Sequence, residues 1–116
     1  MEFENTLYEK SEGIATITIN RPDALNALNE ETIKEILARL EDAKNDEGIR
    51  VIVITGAGDR AFSAGADLKM MKGASPVRGV ELSRLGQHMC NYVEALEKPV
   101  IAAINGFALG GGIELA

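Results

Sequence analysis

VIVITGAGDRAFSAGAD, residues 51–67, and PVIAAINGFALGGGIE, residues 99–114, decide the fold, because one local design is written twice. Each begins with a short apolar run rich in Val or Ile, the pattern of a strand covered on both faces. Each then passes into glycine, alanine and other small residues, and each small-residue loop opens a helix. Strands that alternate with helices in this way predict an α/β fold with parallel strands. Residues 51–55 and 99–104 are therefore expected to be neighbouring parallel strands, both fully buried, with their glycine loops at the same end.

Upstream, TLYEKSEGIATITIN, residues 6–20, predicts two strands about a turn at Ser11-Glu12-Gly13. Ala15, Ile17 and Ile19 alternate with Thr16 and Thr18, the period of a half-buried strand. Pro22 has no N–H to give and ends the ladder. A helix is predicted over residues 29–44, with Asn29 as its N-cap and Glu30 and Glu31 beside its positive end. Ile33, Ile36, Leu37, Leu40 and Ala43 form its apolar stripe. Ser75-Pro76 starts a second helix. Leu82, Leu85, Met89, Val93 and Leu96 follow at helical spacing until Lys98-Pro99. No internal sequence repeat, low-complexity tract or linker is visible.

The chain of 116 residues is 46% hydrophobic and 26% charged, a globular balance. A net charge of −6 gives sequence-independent nucleic-acid binding little footing. It does not exclude an anionic small ligand, which backbone N–H groups can hold unaided. The single Cys90 can form no internal disulfide and is expected to be a small buried hydrophobe. The N-terminal MEFEN is acidic where a signal peptide would be basic and then apolar. No apolar run approaches the ~18 residues of a membrane span. The expectation is a soluble, cytoplasmic protein with neither nucleic acid nor membrane as partner.

The two loops suggest a site. Helix N-termini leave N–H groups unpaired, and small residues let a ligand approach them. Two such loops side by side can aim two N–H groups at one atom, an oxyanion hole in which each donor supplies about 2.7–4 kcal/mol. Other readings stand beside this one. GAGDRA, residues 56–61, matches the dinucleotide fingerprint G-x-G-x-x-A, which requires a helix to begin in that turn; FSAGAD instead continues as loop. Glu114 taken alone is a helix-start acid favoured by the dipole. Asp67 suits a cap on a short helix, and Lys69 either a solvated charge or a phosphate contact. Met70 and Met71 suit helix packing or an acyl pocket, and His88 a surface or filler role. Glu41, Asp42, Asp46 and Glu47 suit a solvated helix face.

AFSAGADLKMM (residues 61–71) and KPVIAAINGFALGGGIELA (98–116), with ATITINRPDALNAL (15–28) before them, resemble the enoyl-CoA hydratase/isomerase, or crotonase, family. The resemblance implies a ClpP/crotonase-like α/β fold, a superhelix of repeated ββα units. Residues 1–116 would be the N-terminal part of a single domain roughly twice as long, its C-terminal half lying past Ala116. It also implies that the backbone N–H groups of Ala66 and Gly111 bind an acyl-CoA thioester oxygen and stabilise an enolate. Ala64 and the segment Ala66-Asp67-Leu68-Lys69 would belong to the substrate-binding surface, the segment lying along the CoA moiety. Glu114 matches one of two glutamates with which hydratases position and activate water, the second being expected downstream. The implied reaction is hydration of a 2-enoyl-CoA. Isomerases and other lyases or hydrolases of the family are alternatives, as is a non-catalytic acyl-CoA-binding or scaffold protein. A homotrimer or hexamer is implied. Coenzyme A enters as part of the substrate, and the chemistry needs neither metal nor redox cofactor. His88 is alone, with Cys90 two residues away.

Overall fold

A computed structural model describes residues 2–116. A hairpin opens the chain, β1 (Thr6–Ser11) and β2 (Ile14–Ile19). Glu12 and Gly13 both take positive φ, 50° and 81°, the two-residue turn whose twist matches that of its strands. A 3₁₀ turn at Pro22–Ala24 leads to α1 (Glu30–Asn45), whose N-cap Asn29 accepts the N–H of Thr32. Then come β3 (Val51–Gly56), β4 (Ala61–Ser63), α2 (Leu68–Met71) and α3 (Pro76–Ala95), the last capped by Ser75. β5 (Val100–Ala103), β6 (Phe107–Ala108) and α4 (Gly111–Leu115) complete it.

The main sheet has the order β1-β2-β3-β5. β2, β3 and β5 are parallel, with Ile52 opposite Val100 and Thr55 opposite Ala103. The expected neighbours are therefore neighbours. β4 and β6 form a second, two-stranded parallel sheet. So β3-β4-α2-α3 and β5-β6-α4 are two strand–strand–helix units in succession. The repeat lies in the backbone path, while the side chains of the two units differ.

β4 and β6 are the elements that sequence reasoning takes for loop. Three and two residues are too few to display a period. Glycine makes their approach possible: a Cβ on Gly106 would lie 2.4 Å from the Arg60 carbonyl oxygen, and one on Gly56 2.5 Å from that of Ala61.

Ala15, Ile17 and Ile19 of β2 and Ile52 and Ile54 of β3 meet Ile36, Leu40 and Met89 in one core. The expectation that β3 and β5 are buried on both faces is corrected. Val51 and Val53 are half-buried, and Ile101 on β5 is 53% exposed. α1 and α3 pack together over one face, so only alternate residues are covered, and β5 stands last in the sheet of the described residues.

Polar contacts tie the hairpin to α1. Glu35, 2% exposed, accepts from the Asn5 backbone and side chain and from Thr6 Oγ1. Lys10 bridges Asp42 and Asp46 at 2.8 and 2.7 Å, and the Tyr8 hydroxyl donates to Asp42. Burial, then the Asp42 hydrogen bond, pushes the Tyr8 pKa up. The acidic cluster is thus only partly a solvated face: Glu41 and Glu47 are exposed, whereas Asp42 and Asp46 clamp β1.

Candidate active site

After β4 the chain crosses the segment that follows the 3₁₀ turn. Ala64 N–H donates to Leu25 O, Leu28 N–H to Gly65 O at 2.7 Å, and Asp67 N–H to Leu28 O at 2.9 Å. Leu28 and Ala66 form an isolated parallel bridge. In such a bridge the two bonds come from the residues flanking Ala66, so its own N–H points to the opposite side. Among the described residues that N–H meets no acceptor.

The loop after β6 is laced onto this one. Leu109 N–H donates to Ser63 O, and Gly112 N–H closes a turn on Leu109 O. A Cβ on Gly65 would stand 2.8 Å from Leu109 O, and one on Gly112 only 2.2 Å from Ser63 O. Gly110 has φ +50°. The three glycines thus have three tasks: Gly110 takes the backbone turn, Gly112 admits Ser63, and Gly111 faces Ala66. A Cβ on Gly111 would lie 3.5 Å from Ala66 N. Since a Cβ sits about 2.5 Å from its own nitrogen, the two nitrogens are at most about 6 Å apart. Both can reach a single oxygen. Gly111 N–H, the first of α4, also has no acceptor among the described residues.

Ala66, Gly111 and Glu114 line one cleft of about 350 Å³. Leu28, Ile33, Leu82 and Met89 supply buried apolar wall, and Met70 and Met71 line it as well. Those methionines therefore serve the cleft. Cys90 is corrected from buried hydrophobe to half-buried cleft residue; burial first, then the charges of Glu114 and Glu94, push its thiol pKa up. The thiol form is thereby favoured over the thiolate nucleophile.

The remaining residues expected to bind substrate are not gathered there. Leu68 is 82% exposed and Lys69 is exposed. Asp67 caps α2 through Lys69 N–H and pairs with Arg21 at 3.0 Å. Burial works to raise its pKa, but the Lys69 N–H and the Arg21 guanidinium outweigh that, and it titrates below the usual carboxylate range. Arg21, which also donates to Ala27 O, was missed by sequence reasoning, as was the cleft-facing side of α3. His88 is exposed, edge-on to Tyr92. The dinucleotide reading of residues 56–61 fails, because β3 turns into β4 where a helix would have to begin.

Successive strand–strand–helix units with two free backbone donors over a cleft define a crotonase-type α/β protein. The sequence model described as enoyl-CoA hydratase/isomerase matches residues 9–116. A crotonyl-CoA hydratase of Syntrophomonas wolfei is 48% identical over the whole chain, which covers 45% of that protein. A short-chain-enoyl-CoA hydratase of Clostridium acetobutylicum is 47% identical, again over the whole chain and 44% of the relative. The crystal structure of an enoyl-CoA hydratase from Bacillus anthracis superposes with a TM-score of 0.93 at 36% identity, over 97% of this chain and 44% of that one. The chain belongs to the enoyl-CoA hydratase/isomerase family, and it spans under half the length of these relatives.

Proposed function

We propose that the protein carrying this chain is an enoyl-CoA hydratase, adding water across the double bond of a 2-enoyl-CoA. The observation that carries this reading is the pair of unengaged N–H groups, Ala66 and Gly111, sharing one cleft with Glu114. The thioester oxygen accepts from both donors. Water forms its C–O bond at the β-carbon and gives up a proton to a carboxylate. The π electrons move to the thioester oxygen as an enolate, which the two N–H groups stabilise. Proton return to the α-carbon yields the 3-hydroxyacyl thioester. Glu114 is one of the proton carriers, and the resemblance implies a second acid downstream. These steps call on no metal or redox group. Asp67 in this reading holds the loop, while Lys69 and Leu68 offer an outer surface to the CoA moiety.

The test is hydration of crotonyl-CoA by the full-length protein, followed through loss of the conjugated-thioester absorbance. Glu114→Gln should lower kcat by roughly 10²–10⁴-fold, the usual contribution of a general acid or base. KM should change little, because other groups hold the thioester. Wild-type turnover by Glu114→Gln would make Glu114 a helix-start acid and turn the reading toward an isomerase or a binding protein. A cytoplasmic homotrimer or hexamer belongs to the same reading, and sedimentation of that preparation as a monomer would remove the oligomer from it.

A further inference from the structure

We propose that Gly86 is the chain-length-determining residue of the cleft, its missing side chain leaving a path along α3 for acyl groups longer than crotonyl. The proposal rests on the acyl-thioester reading above.

Gly86 sits in the interior of α3, where glycine destabilises a helix relative to alanine. No contact among the described residues asks for it. Its φ is not positive, and among the described residues a Cβ placed on it would meet no atom within 4 Å. Gly56, Gly106 and Gly112 differ, since a Cβ on each would collide with backbone. The open space beside Gly86 is the cleft itself, which it lines with Cys90 and Glu114. A second, open groove continues from there, sharing Met71, Ser83 and Gln87 with the first and reaching Gly79. Gly79, Ser83, Gly86 and Cys90 recur at the spacing of one helix face. That face is small from end to end.

Distance decides which substrates feel it. At the helical rise, Gly86 lies about 6 Å along the axis from Cys90 and Gly79 about 10 Å further. Cys90 lines the cleft together with Glu114, where the reacting carbons would sit. Crotonyl has a single carbon beyond them and stops short of Gly86. An acyl group of ten carbons must pass it, and a side chain there would block the way.

The experiment uses the full-length protein with Gly86→Leu and Gly86→Ala. Calorimetry would measure the affinity of butyryl-CoA and decanoyl-CoA, beside hydratase kcat/KM for the four- and ten-carbon enoyl-CoAs. Gly86→Leu should weaken decanoyl-CoA by about tenfold or more, the scale at which pocket volume discriminates methylenes. Butyryl-CoA should stay within about twofold of wild type by the same reasoning. Gly86→Ala should raise Tm and weaken decanoyl-CoA less. Equal losses on both ligands, no loss on the longer one, or a wild type that binds only the shorter would each overturn the proposal. So would a lower Tm for Gly86→Ala, which would make Gly86 a packing glycine. Discrimination in binding without hydration would keep this inference and defeat the hydratase reading alone.

Discussion

The seam between the hairpin and α1 and the mouth between the β4 and β6 loops use polar groups in opposite ways. At the seam, Glu35 takes the Asn5 and Thr6 donors, and Lys10 spans Asp42 and Asp46. No buried side-chain polar atom among the described residues lacks a partner. At the mouth, the loops bond to one another through Leu28, Leu109 and Ser63, while the Ala66 and Gly111 N–H groups meet no acceptor among the described residues. The seam converts polarity into stability. The mouth leaves two donors unengaged among the described residues, and the bonds on either side keep them from turning inward.

The largest effect should come from adjacent glycines. Gly111→Ala meets only ordinary contacts, the nearest being Ala66 N at 3.5 Å. That methyl nonetheless crowds any oxygen shared by the two donors, so on the proposed hydratase reading the full-length protein should fold normally and lose about 10²–10³ in kcat, as for a lost oxyanion donor. Gly112→Ala drives a carbon into Ser63 O and should instead lower stability by about 3 kcal/mol. Urea denaturation beside steady-state kinetics separates the two. Matching profiles for the variants would break the contrast between a glycine that gives room to a ligand and one that gives room to the fold.

At the seam the contrast runs the other way. Glu35→Ala strands the Asn5 and Thr6 donors and should cost about 2–3 kcal/mol in urea unfolding. Per-molecule activity below the midpoint should be unchanged. A fall in kcat with stability intact would mean that the seam reaches the site.

The smallest effect belongs to Asp67, which lies between the two regimes. Its folded pKa is lowered, so the fold favours the carboxylate. That contribution is complete above the ordinary carboxylate pKa of about 3.9 and fades as pH falls through the lower folded value. Asp67→Asn should cost about 1 kcal/mol at neutral pH, through the lost ion pair with Arg21, since asparagine caps a helix about as well as aspartate. The Tm difference from wild type should shrink below about pH 4. A difference that held constant across that range would assign the effect to hydrogen bonding alone.

The hairpin, α1, α3 and the parallel pairing of β3 with β5 were legible, since each carries a period, a cap or a breaker. Asn29 and Ser75 cap where the sequence places them. What escaped has a common cause. β4 and β6 exist because of partners far along the chain, and two or three residues carry no period of their own. The exposure of Ile101 reflects which face the helices cover, which no strand announces alone. Arg21 found Asp67 across 46 positions. Of the candidate site, the loops and Glu114 were legible through glycine placement and family resemblance, and the structure places them on one cleft. The α3 wall was not, because Gly86, Ser83 and Cys90 look like gaps in an apolar stripe.

The donor at Ala66 is aimed by a backbone bridge to Leu28, and its direction owes nothing to a side chain. Every residue type except proline would bring the same N–H to that place. A change at Ala66 to anything but proline leaves that donor in place, whereas Gly65 and Gly112 beside it are held to glycine by close approach. Two proteins could inherit this device with few amino acids in common, and kinship among them would be read more reliably from chain path than from spelling.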